Sequence, residues 1–179
     1  MDDVGTNDYH FITQWRVQGT REAVYAILKD APGFTRWWPA VYLDVAEVEP
    51  GDNRGVGKIV RLHTRGRLPY TLRWSFQVTE AQHPTGFSLR AWGDFVGVGT
   101  WHFDQEGAWV NISFDWRIRA DKPLLQYLSF LLKPLFAANH RWAMARGLEG
   151  LQRKLSRSAA KQPPGSTGPT ESSRLNRGR

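Results

Sequence analysis

The chain contains no cysteine, which excludes disulfides, thiol nucleophiles and thiolate-bound metals. Its five histidines, at positions 10, 63, 83, 102 and 140, show neither His-x-His nor His-Glu-x-x-His spacing, so no metal site is expected. A Gly-x-Ser-x-Gly nucleophile elbow is missing too. The stretch Gly93-Asp-Phe-Val-Gly-Val-Gly99 does hold a Gly-x-Gly, but it runs into the strand-like Thr100-Trp-His-Phe103. A phosphate-cradling loop needs a helix N-terminus after it, so no nucleotide or other cofactor is expected. Long apolar runs are also scarce. The most apolar, Pro123 to Ala138, is interrupted by Gln126, Lys133 and Pro134 and is too short to span a bilayer. The opening MDDVGTND is acidic without an apolar core, unlike a secretory signal. These absences lead to the expectation of a soluble, cytoplasmic protein.

What the chain has in quantity is aromatic side chains: nine Trp, nine Phe and five Tyr in 179 residues. That length fits one domain, able to bury about 70% of its unfolded surface and to house a cavity. Aromatic rings line small-molecule pockets as readily as they fill cores. The net charge of +7 is less informative than it looks, because from Ser156 onward five basic residues face Glu171 alone, so this tail carries +4. The remainder is only mildly basic, and nucleic acid is not the expected partner. The tail, rich in Pro, Gly and Ser, is expected to be disordered; its basic residues make it a candidate for peripheral membrane contact.

Tyr9 to Val17 alternates Phe11, Thr13, Trp15 and Val17 against Ile12, Gln14 and Arg16, the period of a strand. Thr20 is placed to cap a short helix over Arg21 to Lys29, and Phe34 to Pro39 reads as a brief helical turn ended by proline. From Ala40 six successive runs show strand character, separated by turn signals at 50–53, 65–66, 83–86, 93–94 and 106–107. Short connections imply an antiparallel meander. In two of these runs the apolar face is plain. Leu72, Trp74, Phe76 and Val78 alternate with polar residues, and so do Val110, Ile112, Phe114, Trp116 and Ile118. A sheet apolar on one side needs a cover.

The cover is the long helical pattern from Asp121 to Leu155, with Asp121 as its expected cap. Spacing of about 100° per residue puts Phe136, His140, Ala143, Met144, Gly147, Leu148, Leu151 and Leu155 on one side. Arg141, Ala145, Glu149, Gln152 and Arg153 fall on the other. Pro134 predicts a kink or two segments meeting there. An imidazole, His140, sits at the centre of the apolar arc. It is either a core histidine satisfied by a backbone carbonyl or by Asn139, or a polar group facing a ligand.

The opening FITQWRVQGTREAVYAILKDAPGFTRWWP, the strand GVGTWHF, the segment FDWRIRADKP and the amphipathic NHRWAMARGLEGLQ together resemble the START-like (SRPBCC) superfamily, in its polyketide cyclase/dehydrase and lipid-transport branch. The resemblance covers Tyr9 to Leu155. It implies an α+β helix-grip fold: a seven-stranded antiparallel sheet wrapped around a long C-terminal helix, two short helices after the first strand, and a deep cavity between sheet and helix. The expected organisation is a flexible 1–8, a domain over 9–155 and the basic tail 156–179. By resemblance Trp37 and Trp38 border the cavity mouth. Trp74 and Trp101 on the apolar strand faces, with Tyr70 and Phe76, are candidates to stack on a flat or isoprenoid ligand. Asn139, His140 and Ala143 supply the helix side. Trp116 is read as packing, and Arg90 with Asp94 as either a polar rim or, the commoner outcome, a surface ion pair. Arg61, Arg65, Arg67 and Arg73, around Leu68-Pro-Tyr70, read as a solvated hairpin face. The function expected is binding of a hydrophobic small molecule, a lipid, isoprenoid or polyketide-like compound. The alternative is a cyclase or dehydrase using the same cavity, with His140 the candidate catalytic residue.

Overall fold

A computed structural model of the chain describes residues 8–119 and 123–161, with side chains left undescribed at 123–133 and 161. Strand β1 (Asp8–Gln18) is followed by helix α1 (Arg21–Lys29), a 3-10 turn (Ala31–Gly33) and the short helix α2 (Phe34–Trp37). Six strands come next: β2 (Tyr42–Glu49), β3 (Ile59–Arg65), β4 (Thr71–Gln82), β5 (Gly86–Gly93), β6 (Val96–Glu106) and β7 (Trp109–Arg119). Helix α3 (Pro123–Lys161) closes the described chain. The strands form one sheet in the order β1-β7-β6-β5-β4-β3-β2, antiparallel at every pairing.

Local chemistry accounts for the elements. Thr20 caps α1, its hydroxyl accepting the Ala23 N–H at 3.2 Å. The turn between β6 and β7 is tight because Gly107 adopts φ 58°, a conformation open to glycine at little cost. Period two in the strands delivers one buried face: Trp15 and Val17 on β1, Val60 and Leu62 on β3, Phe76 and Val78 on β4, Trp101 and Phe103 on β6, and Val110, Ile112, Phe114 and Trp116 on β7. Helix α3 lays Met144, Leu151 and Leu155 against that face, all under 10% exposed. Arg141, Ala145, Gln152 and Arg153 are exposed on its far side. A seven-stranded antiparallel sheet gripping a long C-terminal helix is the expected architecture, and it is the one found.

Helix α3 bears on two expectations. Of the two outcomes expected at Pro134, a kink or two segments, the second is not found: the helix is continuous through it. Pro134 is exposed, so water can satisfy the carbonyl that loses its N–H partner. The helix also continues to Lys161, six residues past the expected end and into the segment expected to be disordered. In that extension Ser156 and Ser158 donate to the carbonyls of Gln152 and Lys154. The expected cap Asp121, residues 1–7 and the tail from 162 lie outside the described residues.

Candidate ligand-binding cavity

Two glycines decide how α2 meets α3. A side chain at Gly147 would run into the indole of Trp38, and one at Gly150 into the backbone carbonyl of Trp37. Their lack of a side chain lets α2 lie directly on the helix, where the Trp38 indole N–H donates to the Ala143 carbonyl at 3.0 Å. Trp38 is thereby held as part of a wall.

Between this wall and the concave face of the sheet lies a cavity of about 210 Å³. Its floor is Trp74, Phe76, Phe87, Leu89, Trp101, Phe114 and Trp116; one side is Leu28, Phe34, Trp38, Val41 and Tyr42; the helix contributes Phe136, Asn139, His140, Ala143 and Met144. The rings are ordered by mutual contact. Trp101 stacks on Phe114 at 4.1 Å, and Phe114 on Trp116 at 5.4 Å. Gly99 lies against this stack, where a side chain would run into the rings of Phe114 and Trp116. The rim is Gly66, Leu68 and Tyr70 from the β3–β4 connection, Asp94 and Phe95 from the β5–β6 connection, and Tyr9, Phe11 and Ile118 from β1 and β7.

His140 has its ring 4.3 Å from that of Phe11, the planes 13° apart, and its Nε2 lies 3.2 Å from the Thr13 hydroxyl. Burial, helped by the positive charge of Arg141, lowers its pKa to about 4. At neutral pH the imidazole is therefore uncharged, able to present one nitrogen as donor and the other as acceptor. Among the lining residues, formal charge at neutral pH is confined to Arg65 and Asp94. Arg65 is exposed and its Nε donates to the Ala40 carbonyl at 3.2 Å, while Asp94 accepts the Arg73 N–H at 2.9 Å. Tyr70, at the rim, has its pKa pushed up to about 12 by burial and by Tyr9. The interior is thus aromatic and uncharged.

Of the residues singled out in the sequence, Trp38, Tyr70, Trp74, Phe76, Trp101, Asn139, His140 and Ala143 all border this one space. Trp37 does not. Its ring stacks on that of Trp38 at 5.3 Å and packs on Phe34 and beneath Gly150, so it backs the wall without lining the cavity. Trp116, read as packing, is buried in the core and also borders the cavity. Asn139 is not the partner of His140: its Oδ1 accepts the Arg67 N–H at 2.7 Å. Arg90 reaches Gln77 at 3.3 Å and not the rim. Sequence reasoning missed Phe11 and Thr13 as the platform and partner of His140, and it missed Tyr42, Thr64 and Phe95. The alternation of β1 already put Phe11 and Thr13 on one face, but nothing local says which strand the helix touches. Among the described residues no three metal-ligating side chains come together, and no helix is long and apolar enough to cross a membrane.

A curved antiparallel sheet closed over a long helix, with a large apolar space between them, defines the START-like class. The family model for polyketide cyclase/dehydrase and lipid transport matches residues 11–156, and the chain belongs to that family. Comparison with curated protein sequences finds no match. Among solved structures, the chain is similar to TTHA0849 from Thermus thermophilus, at 20% identity and a TM-score of 0.68 over 86% of this chain and 100% of the other. It is similar to the Zhui aromatase/cyclase from Streptomyces sp. R1128, at 16% identity and 0.66 over 85% and 96%. A START superfamily protein from Mycobacterium smegmatis gives 12% identity and 0.63 over 83% and 98%. At such identities the likeness is one of fold.

Proposed function

We propose that this protein encloses and carries a hydrophobic small molecule, of the lipid, isoprenoid or polyketide-like kind. The observation that carries the reading is the cavity of about 210 Å³ walled by aromatic rings. The side chains facing that volume forgo packing contacts that a ligand of matching shape would supply. An apolar space of this kind also suits water poorly, since water needs two to four polar partners. A ligand satisfies both deficits. The test is native mass spectrometry of the purified chain beside Ala143→Phe, which places a ring in the cavity from the helix side. A co-purified apolar mass present in the parent and lost in the variant is expected. A parent that neither carries such a mass nor binds an apolar fluorescent probe would overturn the reading.

The family description also supports a second reading, a cyclase or dehydrase working in the same cavity. That chemistry needs a proton donor or acceptor, and His140 is the candidate. A general base works best when its pKa lies near the working pH; at about 4 His140 is a weak one, which favours carriage over turnover. Unchanged turnover of a polyketide-like substrate in His140→Ala would remove the histidine from any such mechanism. Contact of the basic tail with an anionic membrane is part of the same proposal, and loss of liposome binding on deleting residues 156–179 is its expected sign.

A further inference from the structure

The polar groups around the cavity are nearly all engaged by the protein itself. Thr64 Oγ1 accepts the Trp74 indole N–H at 3.1 Å, the Trp38 indole N–H is bound to Ala143, and His140 is paired with Thr13. Asn139 Oδ1 is taken by the Arg67 N–H. Apart from Tyr70, which stands exposed at the rim, the exception is Tyr42. It lines the cavity, its ring is wedged at 4.9 Å from Phe34 and 5.1 Å from Trp38, and its hydroxyl has no hydrogen-bond partner among the described residues. A phenol that lines the cavity without a protein partner leaves its O–H donor to whatever occupies that space.

We propose that the Tyr42 hydroxyl is the hydrogen-bond donor that orients the ligand, and that the ligand carries a neutral oxygen acceptor, a ketone or ester carbonyl, on an otherwise hydrophobic body. The inference rests on the carrier reading above and sharpens its ligand class. Burial raises the Tyr42 pKa well above the ordinary phenol value, so the group stays protonated and donates. Water is a poorer substitute, because Phe34 and Trp38 flank Tyr42 and the Thr64 hydroxyl opposite it on β3 is already engaged with the Trp74 indole, so a water there would find few further partners. A carboxylate is a poor one too. The cationic wall residue Arg65 is exposed and tied to the Ala40 carbonyl, so an anion at Tyr42 would give up hydration without a buried counter-ion.

The test uses three probes of nearly one shape on the full chain: 2-acetylnaphthalene, its hydrocarbon counterpart 2-isopropenylnaphthalene, and 2-naphthoate, each displacing an apolar fluorescent dye. Tyr42→Phe keeps the ring and removes only the hydroxyl, and its melting curve verifies the fold. The expected result is that Tyr42→Phe weakens the ketone about 5- to 10-fold, the range of one net hydrogen bond, and leaves the hydrocarbon within about 2-fold. Equal effects on ketone and hydrocarbon would reduce Tyr42 to packing and overturn the inference, as would naphthoate binding more tightly than the ketone. Failure of all three probes to bind the parent chain would instead bring down the carrier reading, and this inference with it.

Discussion

The imidazole of His140 lies flat on the ring of Phe11, 4.3 Å between centroids and 13° from parallel. A helix residue and an edge-strand residue 129 positions apart thus form one apolar surface with a polar edge. Because burial lowers the pKa of His140 from 6.5 to about 4, the folded state prefers the neutral ring and the unfolded chain takes up the proton first. The stabilisation is fully present above pH 6.5 and is lost as pH falls from there towards 4. Its full size is on the order of 3 kcal/mol, at about 1.4 kcal/mol for each pKa unit. Denaturant unfolding at about pH 7.5 and about pH 4.5, either side of most of that range, should show a loss of this order in the parent beyond any loss in His140→Phe. Equal losses in both proteins would mean that the ring is not held neutral.

The Thr13 hydroxyl is the polar partner of His140, at 3.2 Å, and Thr13 is half-buried on β1. Thr13→Val keeps the shape and leaves a ring nitrogen without its partner in largely apolar surroundings. The expected cost is about 1–3 kcal/mol, against less than about 1 kcal/mol for Thr13→Ser, which restores the hydroxyl. The two variants compared by chemical denaturation separate the hydrogen bond from packing.

Asn139 acts at the rim. Its side-chain oxygen holds the Arg67 N–H at 2.7 Å, and its amide fills the space beside Gly66, so the β3–β4 connection bordering the cavity is fastened to α3. Asn139→Ala should cost about 1 kcal/mol and speed both entry and escape of a bound apolar dye. Stopped-flow exchange slower than in the parent would contradict the fastening role.

The strands and α1 were legible because their cause is local: a sheet with one covered face writes period two into the sequence, and Thr20 writes a cap. His140 was legible as an inward polar group because it sits mid-arc on the helix. What the pattern could not carry was contact between distant elements, such as α3 with Phe11 and Thr13. Tyr42 was hidden for a second reason. The pairing of β2 with β3 shifts register between Tyr42 and Asp44 and again between Glu47 and Glu49, and a bulge breaks the alternation from which a face is read. Trp37 and Trp38 were taken as a pair, but their rings stack one behind the other and only Trp38 reaches the cavity.

The seat of Trp38 on α3 yields the last prediction. Gly147→Ala pits two known effects against each other. Alanine favours a helix interior over glycine by about 1 kcal/mol. Its methyl group, however, would sit inside the contact distance of the Trp38 indole, and overpacking of a filled site costs about 1–3 kcal/mol. Trp38 cannot yield cheaply, since it is 3% exposed, bound through its N–H to Ala143, and flanked by Trp15, Trp37 and Tyr42. The steric term therefore wins, and a net loss of about 1 kcal/mol is expected by thermal or denaturant unfolding. Because the displaced indole is a cavity wall, dye affinity should change with it. A Gly147→Ala variant more stable than the parent would show that α2 is free to move away from α3.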